Sequence, residues 1–437
     1  EVFRHSTAHI FAYAIQELYP DSKNTIGPAV DEGFYYDFDD LNITEADFPK
    51  IEAKMKEIIA KDIPFQKHTI TLTEVKARFP KNNYKIEMAT EFEKQGPLTS
   101  YSIGSDFQDL CRGPHVPSTG YIKAIHLFLV AKAYWRGDAK NKQLTRVYGI
   151  SFQSEKDLAT YLKQKEEAEK RDHKKIGMEM GIYMQHPSVG KGQPIWLPNG
   201  AAIRKALENF AVKMEEDAGY IRVVTPILAK EELFLQSGHL PHYADSMFPK
   251  MEMDDGSYIL KAMNCPMHHL IYGNRIYSYK ELPIRIAEYG LCHRNELSGT
   301  LSGLLRVRAM AMNDAHIYCR KDQIADEINA VIDLIKSYYK TFGFKDYYFR
   351  LSLWDPKNHE KYINEPENWE YAEQILRDII KRCGVPYVEV TNEAAFYGPK
   401  IDVQFKTVTG REETMSTVQL DFAAKKRFNL TYVDKDG

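Results

Sequence analysis

HRNE (residues 293–296) and RVRAMAMNDAH (residues 306–316), joined through the turn-like LSGTLSG (residues 297–303), decide how this chain reads. Both arms read as strands, and alternate side chains of a strand share a face. Arg294 and Glu296 then point the same way, as do Arg306, Arg308, Met310, Met312, Asp314 and His316. A hairpin that gathers arginines, acids and a histidine on one surface is not an ordinary core. A guanidinium offers a rigid fork of donors that matches phosphate oxygens in pairs, so Arg294 and Arg306 on neighbouring strands suit a bent triphosphate. Glu296 is placed to accept from an exocyclic amine of a base. Surface salt bridges on an exposed sheet face account for the same spacing equally well.

Other phosphate motifs are missing from the sequence. No GxxxxGK[ST] occurs, SVGKGQP (residues 188–194) lacks the Ser/Thr after its Gly-Lys pair, and no GxGxxG follows a strand. Any use of ATP therefore goes without a P-loop or a dinucleotide fold.

Two sets of residues have metal-ligand chemistry. Cys265 sits just before a helix in AMNCPMHH, and His316 ends the arginine strand. Each alone is more often structural. Together beside a polyanion site they suit zinc, although a catalytic zinc needs three protein ligands and only two are visible. The second set is His5 and His9, four apart and so on one helix face, with Cys111 and His115 in DLCRGPH (residues 109–115). The missing Glu of HExxH argues against a protease of that class. A zinc hydrolase, a hydrolytic pocket without metal and a hydrogen-bonded core all remain open.

With 437 residues, 43% of them apolar, the chain is long enough for two or three domains with real cores. A net charge of −3 gives no global positive field, so RNA binding has to come from local patches. Cys111, Cys265, Cys292, Cys319 and Cys383 form neither a paired framework nor a CxxC, which suits a reducing cytoplasm. No signal peptide and no membrane-spanning apolar run are expected. Both ends read as cuts in a longer protein.

Helical character over residues 5–18 and strands at GFYYDF (residues 33–38) and AIHLFLVA (residues 124–131) mark a mixed first domain, residues 1–154. The Lys/Arg- and Glu-rich residues 155–175 read as a solvated linker helix with i,i+4 ion pairs rather than a nucleic-acid arm, so 155–180 is a linker. From residue 181 to 437, Ile203, Ala206, Leu207, Phe210 and Met214 form one apolar helical stripe ending at Gly219. A strand over residues 221–228 carries Pro226, which places it at an edge or an interface. Strands over 283–294, 305–318, 397–405 and 414–422, with an amphipathic helix over 322–342, predict an α+β fold: a mainly antiparallel sheet flanked by helices. Parity sets Ile401, Val403 and Phe405 opposite Lys400, Asp402 and Gln404, and Val418, Leu420 and Phe422 opposite Thr417, Gln419 and Asp421.

Taken in order, HSTAH (residues 5–9), DLCRGPH, AMNCPMHH, HRNE, RVRAMAMNDAH, FYGPKID (residues 396–402) and TVQLDF (residues 417–422) resemble the threonyl-tRNA synthetase family over nearly the whole chain. The resemblance implies a class II synthetase core with its antiparallel sheet, preceded by a smaller α/β editing domain and a linker helix. It implies ATP-dependent ligation of threonine to tRNA(Thr) through a threonyl-adenylate, hydrolytic editing of seryl-tRNA(Thr), Zn2+ and Mg2+ as cofactors, and a cytoplasmic homodimer. Carried residue by residue, Arg294 would bind the α-phosphate and the substrate carboxylate. Glu296 would read the adenine amine and Arg306 grip the outer phosphates. Cys265 and His316 match two of three zinc ligands, and Asp314 the acceptor for the threonine hydroxyl. Met263, Tyr397 and Lys400 would line the amino-acid pocket, Gln419 would lie near the nucleotide, and Pro226 would mark the dimer interface. His5, His9, Lys85, Asp109, Cys111 and His115 match the editing pocket, which in the family works without bound metal.

Two active sites answer a physical need. A methyl group is worth only about 1–3 kcal/mol to a pocket, or roughly 10–200-fold. A zinc ion with an open position distinguishes threonine from valine but cannot exclude serine, so a second site has to remove seryl-tRNA. The sequence departs from the family in three ways. The third class motif, with a further arginine and the third zinc ligand, is not found. Neither are the anticodon-binding and small N-terminal domains. AMAM (residues 309–312) replaces a more polar or aromatic pattern: Met310 can still stack on adenine, but Met312 removes a hydrogen bond. These 437 residues are thus expected to aminoacylate poorly where a full-length enzyme is active. Two rivals stand beside this reading: a stand-alone deacylase of mischarged tRNA with a non-catalytic core, and a synthetase-like regulator.

Overall fold

Residues 6–15 of α1 (Val2–Leu18) are all buried, so this helix runs through a core rather than along a surface. Its sequence shows why: Ala8, Ala12 and Ala14 allow close approach on the sides that Ile10, Phe11 and Ile15 do not fill. The computed structural model describes residues 1–30, 33–138, 140–407 and 411–437. It divides into two compact units, Glu1–Glu166 and Glu167–Gly437.

In the first unit, α1 packs with α2 (Phe48–Ala60) against an antiparallel sheet. That sheet is built on β1 (Gly33–Asp39), paired with β6 (Gln143–Phe152), which in turn pairs with β5 (Ala124–Tyr134). Phe34, Tyr36 and Phe38 alternate onto the α1 side and join Ile51, Met55 and Ile58 in the core. A second antiparallel sheet holds β2 (Phe65–Thr69), β3 (Thr99–Ile103) and β4 (Phe107–Leu110) in that order, with α3 (Asn83–Glu93) following β2 in the chain. The charged segment is helical, but it breaks at residues 171–172 into α4 (Glu155–Lys170) and α5 (His173–Glu179). Asp172 caps the second helix by accepting from the Lys174 N–H at 2.9 Å.

In the second unit, the long antiparallel pair is β8 (Ile284–His293) and β9 (Ala309–Tyr318). A short strand, β7 (Ile221–Arg222), joins it in parallel on the far side of β8. The expected strand over 221–228 therefore breaks: after β7 the chain leaves the ladder, passes Pro226, and resumes at Leu228–Lys230 in another sheet. Proline without an N–H fits that gap. A four-stranded sheet runs β11 (Tyr387–Thr391), β10 (Tyr347–Leu353), β12 (Lys400–Lys406) and β13 (Glu412–Gln419). Helix α8 (Ile324–Phe342) buries Ile324, Ile328, Ile332, Ile335 and Tyr339, a helical stripe, against Phe349, Leu351, Ile401 and Val403. Each such aliphatic side chain contributes about 1.5–3 kcal/mol on burial. Gly343, at φ +74°, closes the helix as a left-handed cap.

Three sequence expectations change here. First, β8 ends at His293 and β9 begins at Ala309, so Arg294, Glu296, Arg306 and Arg308 lie in the connection rather than on the ladder. The turn-rich LSGTLSG and the Ser302–Arg306 bridge draw the flanking residues out of the sheet. Second, the stripe on α6 (Pro198–Asp217) is exposed over its first half: Ile203 and Leu207 are 44% and 45% exposed, whereas Phe210 and Met214 are half-buried and Phe210 packs on Tyr338 and Phe342 of α8. Third, β12 is buried on both faces, since Asp402 and Gln404 are covered as well as Ile401 and Val403. Two of the expected strand ends also shorten: residues 397–399 and 420–422 lie outside β12 and β13.

Candidate functional site

The long connection brings the predicted arginines and acid together by a different route from strand parity. Arg306 Nε donates to Glu296 Oε2 at 2.9 Å, and Arg308 Nε donates to the Glu296 carbonyl at 2.9 Å. Arg294 is tethered from both ends: its N–H donates to the Arg308 carbonyl at 2.9 Å, and its Nε reaches the Ala262 carbonyl at 3.3 Å. Arg306 is exposed while Arg294 and Glu296 are half-buried, so the guanidinium fork of Arg306 opens to solvent from the edge of the site.

Register places Asp314 opposite Glu288 and His316 opposite Ile286, with Gly290 opposite Met312 and Cys292 opposite Met310. Parity then holds along this ladder: Met310, Met312, Asp314 and His316 share one face with Glu288, Gly290 and Cys292. Helix α7 (Cys265–Gly273) lies over that face. Its N-cap residue Asn264, fully buried, donates from Nδ2 to Asp314 Oδ2 at 3.0 Å. Asn264 fits because residue 290 is glycine: a Cβ there would lie 2.1 Å from the Asn264 amide oxygen. Gly290→Ala should therefore unseat Asn264 and destabilise this unit by about 1–3 kcal/mol, as overpacking does. Urea denaturation of the variant checks this, and an unchanged midpoint would contradict it.

Cys265, His268 and His269 sit at i, i+3 and i+4 of α7 and so share a face of the helix. His316 Nδ1 lies 2.8 Å from His268 Nδ1, and His268 Nε2 lies 3.1 Å from Glu288 Oε1. Beneath them the fully buried Lys261 is 3.4 Å from the same carboxylate. Burial, with His268 alongside, holds the His316 imidazole down at about 3, so it is neutral at ordinary pH. Burial and the nearby Asp314 and Asp421 carboxylates push the Cys265 thiol well up. Cys265 also raises the phenols of Tyr318 and Tyr397 after burial itself. The thiol, Asp314, Asp421 and Tyr397 thus share one neighbourhood.

Tyr397 and Gln419, from separate segments, are hydrogen-bonded to each other, phenol to amide oxygen. Lys400 is committed to Asp402 at 3.0 Å, and that carboxylate also accepts from Arg350 Nη2 at 3.0 Å, Ser352 Oγ at 2.9 Å and Thr417 Oγ1 at 2.9 Å. Burial alone would raise the Asp402 carboxyl, but Lys400 and these donors hold it below its ordinary range. Met263, half-buried, packs on Phe234, Met247 and Ile259.

The first unit carries the other constellation. His5 and His9 project from α1 toward Cys111 and His115, which follow β4. The four candidate ligand atoms all lie within 4.8 Å of one another. Cys111 Sγ is 3.4 Å from His5 Nε2 and 3.2 Å from His115 Nε2, and it accepts from the Gly113 N–H at 3.1 Å. Ser6 Oγ holds His115 Nδ1 at 3.0 Å. Burial drives His9 well below its ordinary value and His115 down to about 2, and raises Cys111 to about 11. Both rings and the thiol are therefore neutral at pH 7. His9 Nδ1 is buried without a hydrogen-bond partner. Lys85 and Asp109 form a buried ion pair beside them, in which Lys85 also donates to the Thr25 carbonyl at 2.7 Å and Asp109 accepts from the Tyr36 hydroxyl.

Residues 250–437 match the tRNA synthetase class II core domain (G, H, P, S and T), and residues 98–148 match the Threonyl and Alanyl tRNA synthetase second additional domain. Threonine–tRNA ligase of Staphylococcus carnosus is 50% identical over the whole chain, which spans 68% of that protein. The Listeria welshimeri enzyme is 48% identical over the same share of each chain. The chain belongs to the threonine–tRNA ligase family. Among solved structures, the RNA binding domain of threonyl-tRNA synthetase from Cryptosporidium parvum aligns with a TM-score of 0.58 at 34% identity, covering 61% of this chain and 65% of that one. The putative threonyl-tRNA synthetase ThrRS-1 of Aeropyrum pernix aligns at 0.55 and 32% identity, covering 60% and 62%.

Within this family setting, the sequence missed the residues that hold the site together. Asn264, Gly290, His268, Glu288 and Lys261 act across elements. Two signals were available: Glu288 is an acid in the buried register of Ile284 and Ile286, and His268 lies one helical turn past Cys265. Among the described residues no hydrogen-bond partner faces His316 Nε2. A half-buried thiol that desolvation and two acids hold neutral, and a neutral imidazole with a free nitrogen, are the kinds of donor that zinc takes.

Proposed function

We propose that this chain ligates threonine to tRNA(Thr) at the expense of ATP, through a threonyl-adenylate, in a core of residues 181–437. It removes serine mistakenly attached to that tRNA in an editing domain of residues 1–154, with residues 155–180 as the linker. The observation that carries this reading is the single face shared by Asp314 and His316, with the Cys265 thiol in electrostatic reach of Asp314, next to the connection holding Arg294, Glu296 and Arg306. The threonine carboxylate attacks the α-phosphorus of ATP and pyrophosphate leaves. Arg294 and Arg306 offset the charge, and the Mg2+ that accompanies ATP would add its own positive charge to theirs. Glu296 reads the adenine amine, which requires its carboxylate to exchange Arg306 for the base. Asp314, steadied by Asn264, accepts from the threonine hydroxyl, while Met263, Tyr397 and Lys400 line the pocket and Gln419 lies near the nucleotide. Bound by Cys265 and His316, Zn2+ would supply an open coordination position for the amino and hydroxyl groups of threonine. The tRNA 3′ hydroxyl then takes threonine from the adenylate and AMP leaves.

In the first unit, a water between the histidines cleaves the seryl ester. His9 is the better positioning group, because its Nδ1 lacks a partner while the Lys85 ammonium is engaged by Asp109 and Thr25. The His5–Cys111 and Cys111–His115 contacts suit this pocket as a hydrogen-bonded cluster that works without metal. His9→Ala should lower hydrolysis of seryl-tRNA(Thr) by about 10²-fold or more. Unchanged hydrolysis would remove His9 from the mechanism.

A homodimer is also proposed. Ile203 and Leu207 on α6, Ile221, Val224 (94% exposed) and Ile227 around Pro226, and Leu291 are exposed apolar side chains from a helix, an edge strand and the neighbouring strand. Leu207→Glu should shift the protein from dimer to monomer in sedimentation equilibrium, and an unaltered protein that is monomeric at micromolar concentration would sink the proposal. A cytoplasmic location goes with the tRNA substrate; among the described residues, no helix is long and apolar enough to cross a membrane.

A further inference from the structure

We infer that His173 is a positioning residue for Arg306: from the linker helix α5 it holds the loop on which Arg306 stands, and so sets where that guanidinium meets the outer phosphates of ATP. This rests on the reading of Arg306 as the grip on those phosphates. The loop is closed by hydrogen bonds of its own. The Ser302 N–H donates to the Arg306 carbonyl at 3.1 Å, the Arg306 N–H returns to the Ser302 carbonyl at 3.1 Å, and the Leu305 N–H reaches that same carbonyl at 2.8 Å. Between them the Leu304 N–H turns outward and donates to His173 Nε2 at 2.9 Å. A backbone N–H only donates, so this ring nitrogen offers its lone pair. Burial lowers the His173 imidazole from its ordinary value, with Asp172 opposing, and the ring is neutral at pH 7.

Shape agrees with the hydrogen bond. Gly303 has a φ of +48°, and a Cβ on it would lie 2.1 Å from His173 Nε2 and 2.7 Å from Lys174 Cγ. The loop therefore lies against α5 more closely than a side chain at 303 would allow. A second support comes from SVGKGQP, the Gly-Lys stretch that is no phosphate loop. Its Gly192, at φ +77°, accepts from the Arg308 N–H at 2.6 Å and from the Ala309 N–H at 3.3 Å. A Cβ there would lie 2.9 Å from Leu301 Cδ2. The first half of the connection differs. Residues 297–300 are all exposed, and a Cβ on Gly299 would meet nothing within 4 Å. The half that is seated is the half that carries Arg306. That side chain is 57% exposed, with its Nε on Glu296. A long side chain on an unsupported loop would give up the freedom of both when phosphate binds; with Leu304 held, only the side chain is left to order.

The test compares ATP with a sulfamate analogue of threonyl-adenylate, which has no outer phosphates. By calorimetry, His173→Phe should weaken ATP binding about 3–10-fold, as the loss of one net hydrogen bond does, and leave the analogue within about twofold. His173→Gln, whose side-chain oxygen can take the Leu304 N–H, should recover most of that loss. In an Arg306→Ala background, His173→Phe should cost nothing further. Exchange of the Leu304 amide hydrogen should be at least about tenfold faster in His173→Phe and slow again in His173→Gln. Should His173→Phe fold poorly by circular dichroism, Gly303→Ala, which pushes the loop off α5, should show the same loss for ATP alone. Equal weakening of ATP and the analogue would make His173 a general prop and overturn the inference. So would a loss that adds to that of Arg306→Ala, or unchanged ATP affinity in His173→Phe where Arg306→Ala lowers it. If Arg306→Ala left ATP affinity intact while Leu304 exchange still followed His173, the phosphate role of Arg306 would fall, and the hold of His173 on the loop would stand.

Discussion

Arg294→Ala should lower threonine-dependent ATP–pyrophosphate exchange by about 10²–10³-fold relative to the unaltered protein. The side chain is held by one hydrogen bond, Nε to the Ala262 carbonyl, and its backbone is pinned to Arg308. That leaves both terminal nitrogens of the guanidinium to meet a phosphate and a carboxylate together. The loss should fall mainly on kcat, because the charge that Arg294 meets grows as the α-phosphorus is attacked. Arg294→Lys should recover little of it, since an ammonium is a point charge and cannot fork. A loss below about tenfold, or one confined to the KM for ATP, would mean that Arg294 only binds and does not stabilise the reacting phosphate.

Asp109→Ala should destabilise the first unit by about 3–5 kcal/mol. Asp109 and Lys85 are both almost wholly buried, and removing the carboxylate strands an ammonium that keeps only the Thr25 carbonyl and the Tyr36 hydroxyl. Hydrogen exchange of the α1 amides reads this locally, without requiring the two units to unfold together. The double variant Lys85→Met/Asp109→Leu should regain most of the stability, because the cost lies in the unpaired charge rather than in the loss of the pair. Equal protection in Asp109→Ala and the unaltered chain would show that water reaches Lys85.

The hairpin was legible in the sequence in substance but not in detail. Strand parity correctly gathers Met310, Met312, Asp314 and His316 on one face. It fails for Arg294, Glu296, Arg306 and Arg308, which meet because a long connection folds back on itself. Side-chain charge gives no sign of where a ladder ends. Helical periodicity found the stripe on α6 but could not tell a core from a surface, and Ile203 and Leu207 prove exposed. The first-unit cluster was legible almost entirely, because two residues one helical turn apart and a Cys-xxx-His loop keep their spacing in any fold. Asn264 over Gly290, and the chain from Glu288 to His316, were not legible. Each depends on how closely a helix lies on a sheet, and that distance is written in the absence of a Cβ at residue 290 rather than in any motif.

Binding of non-hydrolysable sulfamate analogues of threonyl-adenylate and valyl-adenylate, followed by calorimetry, tests the amino-acid and nucleotide site directly and does not depend on turnover. The threonyl analogue should bind at least about 10²-fold more tightly than the valyl one, since on the proposed assignment Asp314 accepts the threonine hydroxyl and a methyl in its place offers that carboxylate no hydrogen. Asp314→Ala should erase that difference, and Arg294→Ala should weaken both analogues. Equal affinity for the two analogues, or a preference for threonine that survives Asp314→Ala, would contradict the assignment of this face as the threonine-activating site.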